Sequence, residues 1–221
     1  MARRAHLGGI IGPPSAAPRR RRIPGPVPEF PEPTIPASSR SEVFLRYLDY
    51  FRSRLTDKIE ALPAAELCRA RLPSGWTPLE LLKHLRHVER RWLEWGFEGQ
   101  DLTDPWADRA DDRWSLVPGD TPASLLIDLH DQAARSRAII ESHPLDELGQ
   151  PGPRWDGADP PTLERILFHL LQEYARHVGH LDIVTELATA QAGELFFIEP
   201  NGQWYHPRSL RRTRALRSAQ R

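Results

Sequence analysis

The stretch from Pro161 to Leu187, PTLERILFHLLQEYARHVGHLDIVTEL, constrains the fold of this chain more than any other. Ile166, Leu170 and Val184 recur at helical spacing and mark the side that should be buried. His169, Glu173, His177 and His180 fall on that same side. Helical residues turn by about 100° each, so these side chains span only about 80° of the circumference. A row of imidazoles and a carboxylate on a buried stripe is costly unless the groups pair, hydrogen-bond or hold a cation. The chain must therefore supply other elements that cover this stripe and satisfy it.

Three further amphipathic helices are available to do so. The first is expected from Ser39 or Ser41, each a suitable N-cap, to about Ala61, with Phe44, Tyr47, Leu48, Phe51 and Leu55 on one side. Leu62-Pro63 stops it, and Ala64–Arg69 carries at most a short helical turn. The second starts at Thr77-Pro78, a cap followed by proline at the first helical position, with Glu80 at capping-box spacing. It runs to about Phe97 and places Leu81, His84, Leu85, Val88, Trp92 and Trp95 on one face. The third repeats the device at Thr121-Pro122 and runs to about Ser142, with Leu125, Leu126, Leu129, Ala133, Ala134, Ala138 and Ile139 or Ile140 as its apolar side. Residues 99–120 hold two tryptophans and six aspartates without periodicity and are expected as a long loop, the kind that often carries function. No convincing strand pair appears in the main body. The expected architecture is an all-α four-helix bundle.

The ends differ from the middle. Residues 1–37 contain Arg19-Arg20-Arg21-Arg22 and frequent prolines, have no helical or strand period, and are expected to be disordered. Residues 191–221 form an irregular extension in which LFFIEPNGQWYHP suggests a small hairpin around Pro200-Asn201-Gly202, ahead of a basic tail. The bundle itself is placed at 38–190. Opposite charges balance over the whole chain, so these arginine clusters are a local asymmetry. They lack interleaved aromatics apart from Trp204 and Tyr205, and nucleic acid is not an expected partner. The single cysteine, Cys68, rules out an internal disulfide framework and cysteine-type structural zinc, and it is expected as a small apolar filler. No apolar run is long enough to cross a membrane, and residues 1–22 lack the apolar core of a secretory signal; a soluble, cytoplasmic protein is expected.

Spacing alone points to a metal. Glu173 and His177 lie one turn apart and can chelate one ion, and His84 projects from the apolar face of another helix. Two histidines and one carboxylate with open positions suit zinc, iron(II) or nickel at a catalytic site. The row has a second reading, a buried hydrogen-bond ladder or an ion pair with Arg165 or Arg176. The occurrence of such groups on two different helices favours the metal.

The segments LDYFRSRLTDKIEALPAAEL, PSGWTPLELLKHLRHVERRWLEWGFEGQ and LFHLLQEYARHVGHLDIVTEL resemble, in order, those of the DinB-like superfamily in its DUF664 branch, common in actinobacteria. The resemblance covers residues 45–190. It implies a metal-binding four-helix bundle related to mycothiol-dependent maleylpyruvate isomerases and to bacillithiol-dependent transferases. By motif, the ligands it implies are His84, Glu173 and His177, with glutamate at 173 where many relatives have histidine. His169 and His180 fit the branch as supporting or substrate-facing groups, and either can replace Glu173 as a ligand. His87 is left outside the ligand set.

The expected activity follows from that resemblance. It is a thiol-dependent S-transfer or isomerisation with mycothiol or a similar low-molecular-weight thiol as cosubstrate, an electrophilic small molecule as partner, and a divalent metal, zinc first, then nickel or iron. Glu89 or His180 is expected as proton shuttle. A metal-dependent hydrolase and a non-catalytic metal-binding stress-response module are the alternatives. A homodimer paired through the aromatic-rich second helix is also expected.

Overall fold

The computed structural model describes residues 30–189, together with the backbone of 197–198 and 204–205. Helix α1 spans Arg40–Ala61, with the Ser39 side chain accepting from the amide of Glu42. A single turn, α2 (Ala64–Leu67), precedes α3 (Pro78–Glu89). Helix α3 starts on a complete capping box, Thr77 accepting from the Glu80 amide and Glu80 from the Thr77 amide. Such a cap contributes about 1 kcal/mol and sets where the helix begins. Helix α4 spans Pro122–Ser142 behind Thr121, and α5 spans Leu163–Thr189.

Helix α1 packs on α5, α5 on α3, α3 on α4, and α4 back on α1. The ring therefore places α1 opposite α3 and α4 opposite α5. Helices joined by short loops must be neighbours. Here the long connectors 62–77 and 143–162 let chain-consecutive helices sit on diagonals. That topology brings α3 against α5, which is what the site requires. Leu48 and Leu55 from α1, Leu81, Leu82 and Leu85 from α3, Ile140 from α4 and Leu163, Leu167, Leu170 and Leu181 from α5 fill the centre and are fully buried or nearly so.

Several expectations are corrected. The second helix does reach Phe97, but from Arg90 to Phe97 it continues as a π-helix. The main body does contain a strand pair, β1 (Arg109–Ala110) with β2 (Arg113–Trp114), antiparallel, with Arg109 opposite Trp114. Its turn is Asp111-Asp112, both at positive φ (51° and 60°), the backbone that a two-residue hairpin of this hand demands and that aspartate tolerates. On α4 the buried stripe is Leu125, Leu129, Gln132, Ser136, Ile139 and Ile140, while Ala134 and Ala138 are exposed. Two polar residues take the place expected for alanines because buried carboxylates on the second helix need their hydrogen bonds. Cys68 is exposed and fills no core space.

Of the tail expected to lack structure, residues 1–29 lie outside the described residues. The segment from Phe30 to Ser39 follows α1: Phe30 meets Tyr50 edge-on at 5.1 Å, and Arg46 donates to the Pro36 carbonyl at 2.9 Å. In the C-terminal extension β3 (Phe197–Ile198) pairs antiparallel with β4 (Trp204–Tyr205), as a hairpin requires; the turn residues 199–203 and the basic tail lie outside the described residues. No described helix is long and apolar enough to cross a membrane.

Candidate metal centre

His84 from α3 and Glu173 and His177 from α5 converge, with one donor atom from each within 4.8 Å of the others. His177 Nε2 lies 3.2 Å from Glu173 Oε2, and His84 Nε2 lies 3.8 Å from the same oxygen. Donors on one tetrahedral zinc ion lie about 3.4 Å apart, given bonds of about 2.0–2.1 Å. The spacing is compatible with a ligand set. The His177 ring meets that of His84 edge-on, with centroids 5.1 Å apart.

The reason His84 presents Nε2 lies outside the helices. Its Nδ1 is 3.0 Å from Asp108 Oδ2. Asp108 is fully buried and also held by Arg91, whose Nη1 donates to Oδ1 at 2.5 Å and whose Nη2 donates to Oδ2 at 3.2 Å. Burial opposes the charge of Asp108, but the hydrogen bonds from His84 and Arg91 and the charge of Arg91 hold its carboxyl well below the usual range. An ionised Asp108 holds His84 at Nδ1, which turns Nε2 toward α5. His84 Nε2 faces the Glu173 carboxylate at 3.8 Å, and hydrogen bonding from His177 and then from His84 pulls that carboxyl well below its ordinary pKa. Two imidazole nitrogens and an ionised carboxylate converge at a spacing that could hold a cation. His177 Nδ1, meanwhile, is buried with no hydrogen-bond partner. The donor set fits a divalent ion of the borderline class, with nitrogen and oxygen ligands.

The hairpin β1–β2 is what delivers Asp108. Asp108 immediately precedes β1, Trp114 ends β2, and the amide of Ser115 donates to the Asp108 carbonyl at 2.9 Å. Asp108 therefore holds one edge of the His84 ring, while Trp114 stacks on its face, centroids 4.2 Å apart and planes at 21°. Trp114 also packs against His177, and with Trp76 and Arg113 it lines a cleft of ≈ 330 Å³. None of Asp108, Arg91 and Trp114 was found from the sequence. The aspartates and tryptophans of 99–120 were visible, but nothing in their spacing singles out one of them.

The remaining candidates take separate places. His169 is half-buried, with Nε2 3.5 Å from Glu173 Oε1, and its ring is 4.3 Å from that of Trp92. Burial, against the pull of Glu173, lowers its pKa. The His180 ring lies 5.5 Å from that of His177 and 6.2 Å from that of Trp76, and its Nδ1 is buried without a partner. His87 is turned away: its Nδ1 is 2.9 Å from the Lys83 carbonyl and its Nε2 is 3.1 Å from Arg86 Nη1.

Glu89 is not brought to this cluster. Its carboxylate is fully buried among Arg52, which donates from Nε at 2.9 Å and from Nη2 at 2.7 Å, Ser136, which donates at 2.5 Å, and the Tyr174 hydroxyl. Every lone-pair direction is occupied by a residue of α1, α4 or α5. Burial opposes its charge, but Arg52 and these donors win and lower its pKa. Glu94 makes a neighbouring bridge to Gln132 at 2.6 Å and Arg135 at 3.1 Å.

A family profile described as Mycothiol-S-transferase matches residues 43–190. None of the curated proteins matches. Among solved structures, a conserved protein from Enterococcus faecalis superposes with a TM-score of 0.52 at 14% identity, covering 70% of this chain and 100% of that one. YfiT from Bacillus subtilis, described as a probable metal-dependent hydrolase with an unusual four-helix bundle topology, superposes with a TM-score of 0.52 at 16% identity, covering 72% of this chain and 93% of that one. At these identities the likeness is one of fold.

Proposed function

Because the chain belongs to the mycothiol-S-transferase family, of DinB-like type, we propose that it is a metal-dependent enzyme that transfers or adds a low-molecular-weight thiol to an electrophilic small molecule. His84 Nε2, Glu173 and His177 would hold the ion, zinc first, with nickel or iron(II) as alternatives. The observation that carries this reading is the convergence of His84 Nε2, whose ring Asp108 holds at Nδ1, with the Glu173 carboxylate and His177. A divalent ion bound there supplies Lewis acidity, which lowers the pKa of a thiol or water brought to it.

The chain's own residues do the rest. Asp108 and Trp114 hold the His84 ring at its edge and face. Trp76 and Trp114 wall a cleft of ≈ 330 Å³, a size suited to a small ligand. His180, whose ring lies 5.5 Å from that of His177 and whose Nδ1 has no partner, is the residue to which we assign the thiol proton as the sulfur–carbon bond forms. Glu89, its carboxylate fully engaged, holds four helices together and is not assigned the proton. Mycothiol as the thiol follows from the family alone. Pairing of two copies through the second helix remains part of the proposal; Trp92 and Trp95 of that helix pack on Trp155 and Trp106 of the same chain.

A hydrolytic reaction at the same site is the second reading, favoured by the description given to the Bacillus subtilis protein of like fold. The test is metal analysis of wild type and His84→Ala, followed by consumption of mycothiol with an electrophile such as maleylpyruvate or an alkyl halide. Wild type should bind one divalent ion and the variant much less. Full metal retention in His84→Ala overturns the site. Metal without turnover of any thiol transfers the case to the hydrolytic or the non-catalytic reading.

A further inference from the structure

Arg154 is a charged side chain that the centre just described does not use. It sits in a one-turn 3-10 helix, Pro153–Trp155, in the connector before α5. Its guanidinium carbon lies 4.1 Å from the ring centroid of Trp92, 5.6 Å from that of Trp155 and 5.8 Å from that of Trp95. Its Nε is buried with no hydrogen-bond partner. Among the described residues no carboxylate pairs with it, whereas the buried Arg52 and Arg91 and the half-buried Arg71 and Arg137 each have one. The like charge that acts on it is that of Arg91, which is itself paired with Asp108.

The platform beneath it is built rather than incidental. The Trp155 indole donates to the Gln150 carbonyl at 2.7 Å. It lies against Gly96 of the π-helix, where a Cβ would stand 2.8 Å from the ring. Asp156 takes a left-handed backbone (φ 51°) just after it and ends the turn. Trp92, which carries Arg154, is also the ring against which His169 packs, and His169 reaches Glu173. The arginine is thus one indole and one imidazole away from the centre.

We propose that Arg154, on its three indoles, is an anion-binding residue that receives a carboxylate on the small molecule processed at the His84–Glu173–His177 site. A guanidinium held over aromatic rings can still offer its N–H groups to planar, bidentate recognition of a carboxylate, and the surrounding indoles suit an unsaturated or aromatic body attached to it. A half-buried cation without a counter-ion gains more from such a ligand than a solvated one. The anion site stands on Arg154 and its platform; that its ligand is the substrate rests on the metal-site reading above.

Benzoate is the probe, with benzamide as its neutral counterpart, and binding is followed by tryptophan fluorescence and calorimetry on the full chain. Benzoate should bind saturably to wild type and benzamide should not. Arg154→Gln should weaken benzoate by about tenfold or more, and Arg154→Lys, which keeps the charge but loses the fork, by less. Metal content and thermal midpoint should stay as in wild type for the lysine variant, which carries the test should the glutamine variant fold poorly. Benzoate binding should persist in His84→Ala. Binding lost in His84→Ala but kept in both Arg154 variants would mean that the carboxylate goes to the metal, and overturns the proposal. Equal binding of benzoate to wild type and to both Arg154 variants, or none to wild type, also overturns it. Full metal retention in His84→Ala would sink the metal-site reading while leaving the Arg154 comparison intact.

Discussion

Asp108 Oδ2 lies 3.0 Å from His84 Nδ1, and through that contact a loop residue sets which nitrogen of a helix residue faces α5. Replacing Asp108 with asparagine keeps the shape but removes the charge that favours the Nδ1–H tautomer and that Arg91 needs. Partners of this kind are worth about 10–100-fold in metal affinity. Asp108→Asn should lose zinc to a competing chelator at correspondingly lower chelator activity, with helical content unchanged. Unaltered affinity would mean that His84 is oriented by Trp114 alone.

Removing the metal should cost stability. An ion present at about 100 times its dissociation constant contributes about 2.7 kcal/mol to the folded state, roughly 5–10 °C for a domain of this size. Scanning calorimetry of wild type should show that loss on addition of a chelator. His177→Ala should show almost none, since the ion it would release is no longer held.

Glu89 should act on folding and not on proton transfer. Glu89→Gln leaves Arg52 buried with only Asp49, at 3.0 Å, as its remaining carboxylate. Breaking such a buried pair from one side costs about 3–5 kcal/mol. Denaturant unfolding should report a loss of that size, with metal stoichiometry intact below the new midpoint. Full stability with abolished turnover would instead restore Glu89 as a proton carrier.

His87 should make the protein sensitive to acid. Burial, then the charge of Arg86 and Arg91 against the bond to Lys83 and the charge of Asp108, pushes its pKa down to about 4. Its Nδ1–H donates to the Lys83 carbonyl and its Nε2 accepts from Arg86, so both nitrogens are committed to the neutral form. The unfolded chain, with an ordinary histidine near pH 6.5, binds the proton first. The stabilising contribution of the neutral form is complete above about pH 6.5 and is lost as pH falls through about 4, a total on the order of 3 kcal/mol. Urea midpoints measured from pH 7 to pH 4 should fall accordingly, and His87→Gln should flatten that slope.

Helix starts were legible because their causes are local. Ser39, Thr77-Pro78 and Thr121-Pro122 each fix a terminus through side chain and backbone within three residues. The buried stripe of α4 was misread for the opposite reason. Gln132 and Ser136 look like surface residues until Glu94 and Glu89 arrive from another helix to need them.

Periodicity by itself determined that four long amphipathic helices would form and that His84 on one, and Glu173 and His177 on another, would point inward, because a side chain's direction along a helix depends only on its spacing. Only the tertiary structure decided that α3 would lie against α5 and not diagonal to it, that the Asp111-Asp112 turn would bring Asp108 and Trp114 onto His84, and that Arg154 would rest on Trp92 without a counter-ion. Those contacts join residues far apart in the chain, and their energy depends on burial and on partners that no local pattern encodes.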